Sequence, residues 1–567
     1  MRSGSLQRDD SVISDNRLTA FLRGRRGREY REYLTAYLMI APATLLIFFF
    51  GIFPVAFALF VSVHQWRLVR QDFLGLENYI KAVDSLTYLV LFGLGIAALV
   101  GAYVFLRRCF QTAQEQQERP WLLTLPAAGL AAMMWAFFRW GYVQLPELLD
   151  IADKIRGLEK TRELFVGLVS EAFRAETVFL AWQQFVWLAV VALVLTSVTT
   201  FFWRSRQGVT YLVNLTLSWL SLSLGAAFLW VTFQAITAAY RLAVETGEDP
   251  GIWPQLVMIT SGIVLLLAAW RLWNSVPEGS NRRIALLKGL SALLLMLGAV
   301  LLILEIPSIV SSGDPDLWEG LKITVFFSAG TVPLQLASAL FLAVLLFQKL
   351  RGSAAFRIIF FLPYVTPAIA SAAVFKSMFS SRFTSPANRT LGLFGIEPQL
   401  WIREPTGIVK MITEGFGLSL PPWADGPSMA LMVIILLSIW TFVGYNTVIY
   451  LAGLGNIPGE LTEAAEIDGA SKWEVFRHIT FPLLSPTTYF LSLLAIIGTF
   501  KAFNTIWIVR EGAALGTTDP FSVVIFIEFF QKLRYGYASA LAFVLFAIII
   551  SLTLINNRIQ GSRVFYG

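Results

Sequence analysis

Apolar runs long enough to cross a bilayer recur along this chain about twelve times. The first, from Tyr33 to Val63, reads YLTAYLMIAPATLLIFFFGIFPVAFALFVSV and contains no charged residue. A hydrocarbon core about 30 Å thick is crossed by about 20 residues of helix. Lipid offers the backbone no hydrogen-bond partners, so such runs must satisfy their own amides and fold as helices. Comparable runs follow at about 87–106, 122–143, 178–203, 209–240, 254–273, 284–309, 317–347, 354–379, 429–454, 487–509 and 537–559. The expected fold is an all-α polytopic membrane protein with about 12 transmembrane helices. Composition agrees. Of 567 residues 56% are hydrophobic and 14% charged, where a soluble domain carries about 25% charged residues.

The net charge of +7 does not point to nucleic acid, because the cations sit where membrane topology needs them. Arg17, Arg23, Arg25, Arg26, Arg28 and Arg31 precede the first run and hold the tail, residues 1–31, in the cytoplasm. The tail is not read as a cleavable signal, since the run after it is too long and no small-residue cleavage site follows. Further on, Arg107-Arg108, Arg204, Arg206 and Arg282-Arg283 alternate with the acidic stretches 144–177 and 245–249. That alternation is expected of six crossings between 83 and 314, an even number that returns the chain to its starting side. Arg558 and Arg563 place the C-terminus in the cytoplasm as well. Within 144–177, Leu148, Ile151, Ile155, Leu158, Phe165 and Leu168 fall at helical spacing, predicting an amphipathic surface helix that lies on lipid or meets a binding protein.

Several chemistries are excluded by residue count. Cys109 is the single cysteine and His64 and His478 are the only histidines, so neither a disulfide, a thiolate metal cluster nor a histidine site is expected. The sequence holds no G-x-x-x-x-G-K-[ST] loop and no G-x-S-x-G elbow. No ATP, cofactor or metal site is expected in the chain itself, so any ATP-driven function would need a partner.

Between the runs ending at 454 and starting at 487 lies a polar segment, Pro458 to Pro486. Pro458 suits a first helical turn, and Glu460 and Glu463 favour the positive end of the helix dipole. Gly469 is a natural stop. Ser471 and Glu474 then have the spacing of a capping box that opens a second helix, which Pro482 is expected to end. The same pattern would also suit an interfacial helix that only anchors a loop.

Glu463-Ala464-Ala465, Gly469, Ile479 and Pro482 together resemble the EAA signature of ABC importer permeases, with Phe481 in place of the usual Leu. Phe73-Leu-Gly-Leu-Glu-Asn-Tyr79 resembles the F-x-G-L-x-N-Y segment of sugar-type permeases. The stretch from Leu317, with a basic turn at Lys349 and Arg351 and Leu362-Pro363 opening the next span, looks like the second and third core helices of that family. Tyr535-Gly-Tyr-Ala-Ser-Ala540 is similar to the entry to its last one. The likeness, to the maltose-transporter type, covers about 32–82 and 315–560. It implies six type I importer core helices (33–63, 317–347, 354–379, 429–454, 487–509, 537–559) with the elbow at 458–486. The block 83–314, a six-helix membrane insertion, has no counterpart in it.

The resemblance also implies partners: a second EAA-bearing permease, an ATPase dimer that binds ATP and Mg, and an external solute-binding protein at a bacterial or archaeal inner membrane. Glu463, Ala464, Ala465, Asp468, Gly469, Ile479 and Pro482 would form the ATPase-coupling surface. For the solute path, polar groups inside spans single out Tyr445, Asn446, Lys501 and Asn504. Phe500, Phe503 and Trp507 would supply aromatic faces for a sugar or sugar-like polyol. Those polar residues can also merely bridge helices, and Lys501 can pair with Glu528. A secondary active transporter of 12 helices is the alternative; it predicts repeated halves and buried coupling carboxylates. A membrane-embedded enzyme would need a clustered acid–base set, for which two histidines are few.

Overall fold

The computed structural model describes residues 25–560 except 68–69, 158, 160, 204–206, 248–250, 276–281, 349–350 and 419–423. Most of the basic tail, Arg204, Arg206, Asp249, Lys349 and Arg563 therefore lie outside the described residues. The chain divides into two compact units, one formed by Met1–Ala82 with Ser311–Gly567 and the other by Val83–Val310.

The first unit begins with α1 (Arg25–Ile47) and α2 (Phe53–Ser62), joined through a π turn over Phe48–Ile52. Pro54 has no N–H to offer, and the preceding turn widens so that the Phe53 amide reaches the Phe48 carbonyl instead. Two short antiparallel strands, β1 (His64–Trp66) and β2 (Arg70–Phe73), follow, a small departure from an all-helical chain. Next comes α3 (Glu77–Val83). Here the F-x-G-L-x-N-Y residues have a structural task. Gly75 takes φ +58 in the turn after β2. Asn78 Nδ2 donates to the carbonyls of Ser62 (2.8 Å) and His64 (3.2 Å), closing the end of α2.

The second unit holds α4 (Leu86–Gln116), α5 (Thr124–Lys154), α6 (Arg162–Arg174), α7 (Glu176–Phe202), α8 (Gly208–Thr246), α9 (Ile252–Ser275) and α10 (Arg282–Ser312). α4 packs along α8, and α5 along α7 and α8. Lipid-exposed helices gain nothing by hiding apolar surface from one another, so small residues and buried hydroxyls set the contacts. A Cβ on Gly225 would lie 3.0 Å from the Gly95 carbonyl oxygen, and Ser218 Oγ donates to the Ala102 carbonyl at 2.9 Å. The pair α9–α10 repeats the device: a Cβ on Gly298 would meet the Gly262 oxygen at 2.8 Å, and Ser291 Oγ donates to Ala269 at 2.6 Å. The amphipathic helix expected over 144–177 is two helices. α5 runs on to Lys154, Gly157 turns the chain at φ +87, and Thr161 caps α6 by accepting from the Leu164 amide. The apolar spacing is thus shared between two axes, and Leu158 is outside the described residues.

The first unit resumes with α11 (Pro315–Phe347), capped by the Asp314 carboxylate at the Asp316 amide (2.9 Å). α12 (Ser353–Val365) and α13 (Ala368–Met378) meet at a 92° bend, so the span expected over 354–379 is a bent pair. Leu362-Pro363 does not open it; Pro363 lies inside α12. The break falls at Thr366, which Pro367 forces into extended backbone (ψ 136). α14 (Pro386–Gly392) and α15 (Ile408–Gly415) follow, then α16 (Met429–Gly455), with Ser428 as N-cap. After the elbow come α20 (Ser485–Phe500), α21 (Asn504–Val509), α22 (Phe521–Phe526) and α23 (Tyr535–Gln560). α11 and α16 pack along each other, with α12 on α16 and α20 on α11. Ile323, Phe327, Leu431, Ile434, Leu437 and Ile506 form one core, and Leu336, Ala339, Tyr450, Leu454 and Leu491 another. Ten described helices are long and apolar enough to cross a membrane, or up to 12 if each of two bent pairs counts as one span.

Candidate functional site

The elbow consists of α17 (Gly459–Ile467), α18 (Lys472–Val475), a π turn over Phe476–Thr480 and α19 (Phe481–Leu483). Pro458 is the N-cap of α17 (ψ 127) rather than its first helical residue. Gly469 ends the helix in the left-handed region, φ +87. Its amide bonds the Glu466 carbonyl (3.1 Å) and the Ala470 amide bonds that of Ala465 (2.9 Å), the paired closure of a Schellman motif. Two residues later the capping box is complete. The Ser471 amide donates to Glu474 Oε2 at 2.7 Å, and the Glu474 amide to Ser471 Oγ at 3.3 Å.

Pro482 does not end the second helix. The π turn lets the Phe481 amide reach the Phe476 carbonyl, the arrangement already seen ahead of Pro54. The chain bends only at Leu484, by 62°, into α20. Ile479 and Pro482 are half-buried at this root, Ala465 is half-buried, and Glu463, Ala464, Asp468 and Gly469 are exposed. No residue of α17 is buried. Ile467 is 86% and Trp473 65% exposed, on either side of the Gly469 turn. Sequence reasoning passed over both, although a large apolar residue in an otherwise polar loop was a readable signal.

A cavity of about 340 Å³ lies in the same unit among α11, α13, α16, α20 and α21. That volume falls in the range of about 300–1,000 Å³ common for small-molecule sites. Tyr445, Asn446, Lys501 and Asn504 all line it. Phe500 does not: it is buried at 5% exposure at the end of α20. Among the aromatic residues expected there, Phe503 lines the cavity. Trp507 packs behind it, 5.6 Å between ring centroids, with Phe526. The pairing expected of Lys501 with Glu528 is absent. Glu528 is bonded to Lys532 Nζ (2.7 Å) and Arg534 Nε (2.9 Å), both much closer to it in sequence.

Sequence reasoning missed the α11 face of the cavity. Thr331 and Gln335 stand one turn apart and line it, in a span whose sequence also carries Thr324, Ser328 and Ser338. Thr331 Oγ1, Gln335 Oε1 and Asn446 Nδ2 are buried with no hydrogen-bond partner among the described residues. The wall opposite includes residues 501–503, where the fifth core span is broken between α20 and α21. Irregular backbone at membrane depth is tolerated where it lines a cavity.

Residues 335–563 match the family model described as binding-protein-dependent transport system inner membrane component. The probable ABC transporter permease protein YesP of Bacillus subtilis is 34% identical over 45% of this chain and 76% of its own length. The lactose transport system permease LacF of Rhizobium radiobacter is 33% identical over 43% of this chain and 76% of its own. This chain belongs to the ABC transporter permease family. A further relative, the sn-glycerol-3-phosphate permease UgpA of Agrobacterium fabrum, is 31% identical over 45% of the chain and 79% of its own length. In the permease the matched segment contains the whole elbow and most of the cavity lining, and residues 83–310 precede it. The permease is a multi-pass membrane protein.

Proposed function

We propose that this permease forms, with a second EAA-bearing permease, the path for a sugar or sugar-like solute, and that the elbow couples the path to a separate ATPase. The observation that carries the reading is the exposure of the elbow. A nine-residue helix with no buried residue is marginal by itself. This one is nonetheless built with a Schellman closure and a capping box, and it presents Ile467 and Trp473 outward. A cleft on an ATPase subunit would cover that surface. Glu463 and Asp468 would face its polar groups, Ala464 and Ala465 would permit close approach, and Gly469 would set the angle between the two helices. Ile479 and Pro482, half-buried at the root, would carry the displacement into α20. That helix leads directly to the cavity.

The solute would enter from an external binding protein, with both termini of the permease in the cytoplasm. ATP and Mg would be held by the ATPase. Names of relatives support a carbohydrate or polyol phosphate as the solute class. The test is co-purification of the permease with an ATP-binding cassette ATPase of the same organism, followed by ATP hydrolysis with and without binding protein. A permease that transports solute after Gly469→Asp, or with no ATPase present, would refute this reading.

A further inference from the structure

Lys501 is the one charged side chain lining the cavity among the described residues. It is exposed to the cavity space and takes part in no ion pair among those residues. Glu528, the partner the sequence allowed for it, is already held by Lys532 and Arg534. Lys501 is also the C-cap of α20, at φ −98 and ψ 0, where the helix dipole contributes roughly half a negative charge. A full ammonium over half a charge leaves the cavity net positive. No carboxylate among the described residues lines it.

The rest of the lining is hydroxyl, amide and aromatic. Thr331, Gln335 and Asn446 are 1%, 3% and 5% exposed, line the cavity, and each keeps a polar atom without a partner among the described residues. Buried polar atoms are rarely left this way, because an unpaired donor or acceptor costs about 1–3 kcal/mol. Three in one cavity are groups that a ligand entering it could satisfy. Two are acceptors or hydroxyls on α11 and one is an amide donor on α16, the mixture a polyhydroxylated ring satisfies. Phe442, Tyr445 and Phe503 add apolar faces for its C–H side.

We infer that the solute of this cavity is an anionic sugar derivative, a uronate or a phosphorylated sugar, with its acidic group on Lys501 and its hydroxyls on Thr331, Gln335 and Asn446. The inference rests on the permease reading and narrows its substrate class.

The full chain in nanodiscs of zwitterionic lipid is titrated by saturation-transfer NMR with four probes: D-galacturonate, D-galactose, D-glucose 6-phosphate and D-glucose. Each acid is expected to bind about tenfold more tightly than its neutral parent, the size of one charge-assisted contact. The two pairs distinguish a carboxylate from a phosphate as the acidic group. Lys501→Met is expected to abolish the preference, and Lys501→Arg to retain it. Asn446→Leu should weaken acid and neutral sugar alike. Equal binding of acid and neutral sugar, an acid preference that survives Lys501→Met, or no saturation transfer to any probe would overturn the assignment. Co-purification with the ATPase, measured on the same preparation, reports on the permease reading separately.

Discussion

The main-chain amide of Asp314 donates a hydrogen bond to the carbonyl of Ala82 at 3.1 Å. The chain thus leaves the first unit and returns to it at adjacent points, with 83–310 spent in between. A Cβ on Gly313 would come within 2.9 Å of the same carbonyl, so the return is tight. Asp314 is also the N-cap of α11, and its carboxylate accepts from the Tyr537 hydroxyl. Both ends of the excursion are therefore fixed by contacts inside the first unit.

Replacing 83–310 by a short Gly-Ser link should for this reason leave that unit folded. The expected result is a shortened chain that inserts in the membrane and elutes as a single species in mild detergent, with helical circular dichroism. Aggregation of the shortened chain, with the full chain monodisperse, would show that the first unit depends on the second.

At the elbow, a Cβ on Gly469 would meet nothing within 4 Å, yet φ is +87. Substitution should therefore cost only the left-handed backbone, about 1 kcal/mol, with no clash in the permease itself. Gly469→Ala and Gly469→Asp should express and elute as the parent does. ATPase stimulation by binding protein should fall, more steeply for Asp. A loss of expression equal to the loss of coupling would make Gly469 a folding residue only.

Gly444 on α16 presents the opposite case. A Cβ there would overlap the Phe360 carbonyl oxygen of α12, so the two helices pack backbone to backbone at this point. Gly444→Ala should destabilise the first unit by at least about 1–3 kcal/mol, as overpacking does, and lower its thermal midpoint in detergent. Gly498→Ala, a cavity-lining position where a Cβ meets nothing within 4 Å, should leave that midpoint unchanged.

Glu528 is buried, its side chain 3% exposed, beneath Lys532 and Arg534 at 39% and 31%. Removing one partner of a buried pair costs about 3–5 kcal/mol when the other stays dry. Here both cations reach water, and Glu528→Gln should cost about 1–2 kcal/mol. Urea or thermal unfolding of the variant in detergent measures it. A cost near the upper figure would mean the cations are closed off from solvent in the assembled protein.

The sequence by itself determined what is local. Run lengths located the spans because a helix in lipid must satisfy its own backbone. The residues of the elbow specified its turns, since Gly469 and the Ser471–Glu474 box act within a few residues of themselves. Proline effects were less legible. Whether Pro482 ends a helix, or Pro363 opens one, depends on whether a neighbouring turn can widen or a later proline makes the break, and only the folded chain shows which. The cavity belongs to tertiary structure altogether. Tyr445, Asn446, Lys501 and Asn504 stood out as polar groups within spans, but Phe500 faces the core and Glu528 is bonded elsewhere. Which side of a helix meets which neighbour is decided by packing between segments a hundred or more residues apart. Thr331 and Gln335 share a cavity with Asn446 and Lys501 only because α11 packs against both α16 and α20.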